Sequence, residues 1–333
     1  MNLILPQTSM KRLDIFVHIM NYIIGKLAAI VSCTALMVAM PSCSETNTDG
    51  TENPDEENTQ TVYECVIEEM HCISGDIDIY GQLYTPEGKE GPLPIVVLSH
   101  SSSLTHAAMA PYAQYIAAKG YAAYCFDFCG ACAESKSKGR TTEEMTVFTE
   151  MEDLEIVLAE IKNLDIVDPG KVFLLGSSQG GLVTALVAEK HPDDTRGMIL
   201  FYPAFNIPEL VSQFIAISGS GIDFGSFGNI SGGFGSMGMS DAFVDSIKDY
   251  DVYANIGTYP NDIIILHGTN DFIVDIKYSE KALAKYHSAV LYPIQGASHG
   301  FNNANLNGMA SLVGGEKDEL VMPYVYQFLS EHI

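Results

Sequence analysis

A chain of 333 residues, 47% hydrophobic and 18% charged, is long enough to bury a full core, and one α/β domain of roughly 250 residues would use most of it. Its 42 acidic against 17 basic residues give a formal charge of −25, a surface that repels phosphate backbones and argues against nucleic acid as a partner. No motif calls for a cofactor or a metal ion, and nothing in the composition sets an oligomeric state.

Residues 1–43 read as an export segment. Lys11, Arg12 and Lys26 precede an apolar run over 27–40 that is short for a membrane span and suits a signal-peptide core. The run ends at Met40-Pro41-Ser42-Cys43-Ser44, which resembles a bacterial lipobox with a small residue immediately before a cysteine. Cleavage there leaves Cys43 as a lipidated N-terminus, so the expected location is the bacterial cell envelope, periplasmic or cell-surface, with membrane contact through that lipid. An ordinary signal peptide cut nearby is the alternative. Residues 44–60, rich in Thr, Asn, Glu and Asp, predict a disordered acidic linker.

From Thr61 the pattern becomes that of one folded domain, 61–333. Alternation over 61–68 and 77–84 predicts an antiparallel hairpin. Then come a strand at 95–98, a helix at 109–119 stopped by Gly120, a strand at 121–128 and a helix at 145–164. A strand at 172–175, a helix at 181–190 and a strand at 198–202 follow. The last elements are strands at 263–266 and 289–294 around a helix at 279–286, and a closing helix at 320–329. Short apolar strands alternating with helices imply a mostly parallel sheet covered on both faces. Residues 206–258 break the alternation, with eight glycines from Gly219 to Gly238, and read as a cap or lid inserted above the sheet, with a structureless surface loop as the alternative.

Gly176-Ser177-Ser178-Gln179-Gly180 fits G-x-S-x-G between a strand and a helix, the setting of a nucleophile elbow. A serine hydroxyl needs an adjacent base, and the partners should follow as acid and then histidine. Asp271 lies in the loop after the strand at 263–266, and His299 in the loop after the strand at 289–294, so both fall on the rim that carries Ser178. Asp275 is the competing acid, and His267 reads as a core or loop-bracing residue. Gly296-Ala297-Ser298-His299-Gly300 also matches the motif, but Asn-rich turn composition follows it, which rejects Ser298 as the nucleophile. The oxyanion donors should be the amides of Gln179 and of a residue within His100-Ser101-Ser102-Ser103.

Cys65, Cys72, Cys125, Cys129 and Cys132 are an odd set, so a complete disulfide framework is excluded. Pairing of Cys65 with Cys72 across the hairpin, or of Cys129 with Cys132, stays open beside buried free thiols. Cys125, Cys129 and Cys132 have the spacing of an iron–sulfur site, but Cys125 sits inside a strand, where its side chain is committed to the sheet.

The chain resembles the bacterial cinnamoyl/feruloyl esterase-like α/β hydrolases. The likeness rests on Phe126-Asp127-Phe128-Cys129-Gly130, on Gly139 and Thr141-Thr142 leading to Thr149-Glu150, and on Gly176 through Gly181. His267-Gly268-Thr269-Asn270-Asp271 and Ser298-His299-Gly300-Phe301 complete it. The resemblance implies the α/β-hydrolase fold, with Ser178, Asp271 and His299 as catalytic residues and Gln179 as one oxyanion donor. It assigns the second donor to Ser102, although Ser101 and Ser102 stand where relatives carry glycine and an aromatic residue. The expected function is hydrolysis of small-molecule carboxylic esters, aryl, cinnamoyl or acetyl, through an acyl-enzyme. A serine peptidase or an acyltransferase on the same fold, and a non-catalytic surface binding lipoprotein, are the alternatives.

Overall fold

The computed structural model describes residues 61–218, 239–301 and 318–333; the expected export segment with Cys43, the linker 44–60 and the run from Gly219 to Gly238 lie outside the described residues. The strands are β1 Cys65–Ser74, β2 Ile77–Pro86, β3 Leu93–Ser99, β4 Ala122–Phe126, β5 Val167–Ser177, β6 Gly197–Phe201, β7 Asp262–Gly268 and β8 Ala289–Ile294. They form one sheet in the order β1-β2-β4-β3-β5-β6-β7-β8. Strand β2 runs antiparallel to β1 and β4, and every other pairing is parallel.

The central strands are continuous apolar runs because both of their faces are covered. Ile95, Val97, Val172, Leu174, Met198, Leu200, Ile263 and Ile265 point to one face. Their neighbours Val96, Leu98, Phe173, Leu175, Ile199, Phe201, Ile264 and Leu266 point to the other. Helices α1 Ala110–Ala118 and α7 Asp318–Glu331 cover the second face. The first face is covered by α2 Val147–Ile161, α3 Gln179–Lys190, α4 Ile207–Ser218, α5 Asp241–Ile247 and α6 Lys277–Leu283. The carboxyl ends of β3, β5, β6, β7 and β8 therefore share one rim, where the loops of an open α/β sheet gather.

The structure shifts several expected elements. The first hairpin strand is Cys65–Ser74 rather than 61–68, closed by a two-residue turn at Gly75 (φ +60°) and Asp76. As an edge strand exposed on both faces over Val66–Glu69, β1 carries Glu68, Glu69 and His71, which blurs its alternation. Helix α3 begins at Gln179, two residues earlier than expected, directly after the elbow serine. The described parts of 206–258 are structured: α4 and α5 send Ile207, Val211, Phe243, Val244 and Ile247 into the core of the first face.

The five described cysteines are free, and neither of the two pairings left open forms. Cys65 and Cys72 lie on the same strand, about 23 Å apart at the rise of extended chain, facing Pro86 and Ile79 rather than each other. Cys129 and Cys132 are free, their thiols donating to the Lys138 and Leu104 carbonyls. Cys125 is buried within β4, opposite Leu98 and Gln82, and burial pushes its thiol up to about 12. That is the position of a packing residue.

Candidate active site

The elbow is built from glycines that let three backbone segments close on one another. A Cβ at Gly176 would stand 2.3 Å from the Gly180 carbonyl oxygen. At Gly180 it would stand 2.3 Å from the His100 oxygen and 2.5 Å from that of Ser99. The start of α3 thus lies hard against the end of β3, as backbone crowding of this kind demands glycine. Ser178 adopts φ +51° and ψ −117°, a strained conformation for a residue with a side chain. Its surroundings enforce that conformation: the Ser178 amide donates to the Phe201 oxygen (2.9 Å), and its carbonyl accepts from Ala204 (2.8 Å) and Gly181 (3.0 Å).

Above this turn the three candidate side chains meet. His299 Nε2 lies 3.1 Å from Ser178 Oγ, and His299 Nδ1 lies 2.7 Å from Asp271 Oδ2. All three residues are buried to within a few per cent of their surface: Ser178 8%, Asp271 7% and His299 6% exposed. Gly268 permits the approach of the two loops, since a Cβ there would stand 2.4 Å from the Ala297 oxygen. The Asn270 amide then donates to that same oxygen at 2.9 Å.

The Asp271 carboxylate is saturated. Oδ1 accepts from the amides of Ile273 and Val274, both at 2.9 Å. Oδ2 faces His299 and, at 3.3 Å, His267 Nε2. Burial pushes this carboxyl up, but the two histidines outweigh burial and hold it well below the usual carboxylate range. His267 is fully buried within β7, which continues through His267 and Gly268. Its Nε2 lies 2.8 Å from the Val274 oxygen, so Nε2 carries the proton, and its Nδ1 accepts from the Ser279 hydroxyl at 2.8 Å. The expected bracing residue therefore touches the acid itself. Asp275 stands apart: it accepts from the Lys277 amide (3.0 Å) at the start of α6, with its side chain 43% exposed. Ser298 is buried beside His299, between β8 and a three-residue 3-10 turn, His299–Phe301.

The loop after β3 is fastened to the elbow. Ser101 Oγ lies 2.9 Å from Ser177 Oγ, and His100 Nε2 accepts from the Phe128 amide at 3.1 Å. Burial pushes the His100 imidazole down, which keeps it neutral as that acceptor requires. The amides of Gln179 and Ser102 make no hydrogen bond among the described residues; Gln179 opens α3 directly after Ser178, and Ser102 lies in the loop after β3.

Three residues that sequence reasoning passed over belong here. The Tyr202 ring sits 4.5 Å from the His299 ring, on a backbone at φ +36°, and shoulders the imidazole. Glu150, on α2, is 1% exposed, and its Oε2 accepts from Gln179 Nε2 at 2.8 Å. Asp153, one turn on, is fully buried between Arg140 and the Cys129 amide. For Glu150 the signal was available: Val147, Glu150, Met151, Leu154, Val157 and Ile161 fall on one helical stripe, and a carboxylate in such a stripe is out of place unless it has a partner.

Comparison with known proteins agrees with this architecture. The solved ferulic acid complex of Est1E from Butyrivibrio proteoclasticus superposes with a TM-score of 0.62 at 21% identity, over 79% of this chain and 98% of that one. The chain has the α/β-hydrolase fold. The monoacylglycerol lipase of Paleococcus ferrophilus matches with a TM-score of 0.53 and 18% identity, over 77% of this chain and 99% of that one. The model of the family "serine aminopeptidase, S33" matches residues 90–221, which include the elbow but not Asp271 or His299. A curated relative, quorum-quenching protein AidA of Acinetobacter baumannii, is 28% identical over 109 residues, 32% of this chain and 34% of that protein. The chain thus matches about a third of that relative's length. The family match supports a hydrolase, and the two solved structures speak to the fold.

Proposed function

We propose that the protein is a carboxylic-ester hydrolase that works through an acyl-enzyme on Ser178. The observation that carries this reading is the unbroken chain from Ser178 Oγ through His299 to Asp271, at 3.1 and 2.7 Å, over a strained elbow. Asp271 accepts from His299 Nδ1–H, which turns the lone pair of Nε2 toward the serine hydroxyl. His299 takes the hydroxyl proton as Oγ attacks the ester carbonyl, and then gives it to the leaving alcohol. A water follows the reverse course and frees the acid. The amides of Gln179 and Ser102 are the natural donors to the oxyanion formed in each step.

Small esters with an aryl, cinnamoyl or acetyl acyl group are the proposed substrates. The ferulic acid bound by the structurally similar Est1E supports the aryl class. The description of the matched family supports a second reading, an aminopeptidase, since the same constellation cleaves amides. A panel of aryl esters, acetylated sugars and aminoacyl anilides separates the two. The expected result is ester turnover with anilide turnover at least about 100-fold lower in kcat/KM; the reverse order overturns the ester assignment.

The proposed location is the bacterial cell envelope, periplasmic or cell-surface, with lipid on Cys43. Expression of Cys43→Ser in a bacterial host should move the protein from the membrane pellet to the soluble envelope fraction. An unchanged membrane fraction removes the anchor.

A further inference from the structure

Helix α2 presents a carboxylic acid to the underside of the elbow. Glu150 lies on its core stripe with 1% of its surface exposed, and its partner is the side chain of Gln179, the first residue of α3. Gln179 is itself 3% exposed, so the pair is sealed from water. Its backbone amide follows Ser178 and makes no hydrogen bond among the described residues.

We infer that Glu150 is a positioning residue: by holding the Gln179 side chain it fixes the backbone amide that donates to the oxyanion. The inference rests on the reading of Ser178 and Gln179 given above. A helix start that is not held by its own hydrogen bonds can rock, and a shift of the donor by a fraction of an ångström weakens the bond that matters in the transition state. The clamp removes that freedom from below, without touching the substrate.

The acid is neutral when it does this. Burial pushes Glu150 up to about 8; the bond from Gln179 pulls the other way, and the Asp153 charge on the same helix adds to the rise. Asp153 is itself pushed up to about 6 by burial, against the pull of Arg140 from the segment before α2, and α3 contributes the uncharged Gln179. Above about pH 8 Glu150 loses its proton, and a negative charge then stands behind an amide that must stabilise a second one. Turnover should fall as that charge appears.

The test measures kcat and KM from about pH 6 to about pH 9.5 for the full chain, Glu150→Gln and Glu150→Leu, each corrected to sites counted with a fluorophosphonate. The wild type should lose kcat above about pH 8. Glu150→Leu should have kcat roughly 10- to 100-fold lower across the range, with KM within about twofold, as expected for a transition-state donor set loose. Glu150→Gln should recover most of that loss and show no alkaline decline. A wild-type decline that persists in Glu150→Gln, or a Glu150→Leu enzyme with full kcat per titrated site, overturns the inference. A wild type that takes no fluorophosphonate overturns the underlying site reading instead, so the two failures are distinct. If Glu150→Leu does not fold, Glu150→Gln still decides through its pH profile.

Discussion

Replacing Ser178 with alanine should lower kcat for an ester substrate by roughly 10⁴- to 10⁶-fold, the range seen when the nucleophile of a working triad is removed. The fold should survive. The elbow is held by the backbone bonds of residue 178 to Phe201, Gly181 and Ala204 and by the close packing of Gly176 and Gly180, none of which uses the hydroxyl. The thermal midpoint should therefore stay close to that of the wild type while activity disappears. A variant that keeps more than about a tenth of wild-type kcat would mean that the reaction does not pass through this oxygen.

Asp271→Asn should lower kcat by about 10⁴-fold, and here the geometry gives the reason. Oδ1 is committed to the Ile273 and Val274 amides, so the oxygen of an asparagine must remain on that side. Its NH₂ is then turned toward His299 Nδ1 and His267 Nε2, and His267 already presents a proton there. His299 can meet that NH₂ only with an unprotonated Nδ1, which puts its proton on Nε2, facing Ser178. The base becomes a donor and the serine loses its acceptor. Stability should respond as well. Because the native environment holds the Asp271 carboxyl well below its ordinary value, ionised Asp271 contributes stability above the ordinary carboxylate range, and that contribution is lost as pH falls through the lowered value. The gap in thermal midpoint between wild type and Asp271→Asn should therefore be widest near neutral pH and narrow in strong acid. Kinetics and melting curves on the one variant check both statements; wild-type kcat in Asp271→Asn would show that the carboxylate does not orient the base.

Much of this arrangement was legible from residue order. Strands β3, β5, β6 and β7 are runs of four or more apolar residues because they are covered on both faces, and such runs are easily read. The motif around Ser178 sits between a strand and a helix, and Asp271 and His299 follow strand ends, so a parallel sheet brings all three to one rim. What escaped depends on contacts between distant segments. The edge strand β1 is wet on both faces over Val66–Glu69, so charged residues hide its extent. Helices α4 and α5 flank a glycine-rich run whose composition dominates any local reading, yet Phe243 and Ile247 bury themselves against the core. Glu150 stands out on the apolar stripe of its helix, but its partner, 29 residues further along the chain, is seen only beneath the elbow. The touch of His267 on Asp271 needs the turn between them, which Val274 and Ser279 complete from the next segment.

The most direct measurement is peptide mapping by mass spectrometry after the full chain has reacted with a fluorophosphonate. The account predicts one adduct, on the peptide carrying Ser178, formed slowly or not at all in Asp271→Asn. A stable adduct on Ser298 or on any other hydroxyl, with Ser178 unmodified, would contradict it.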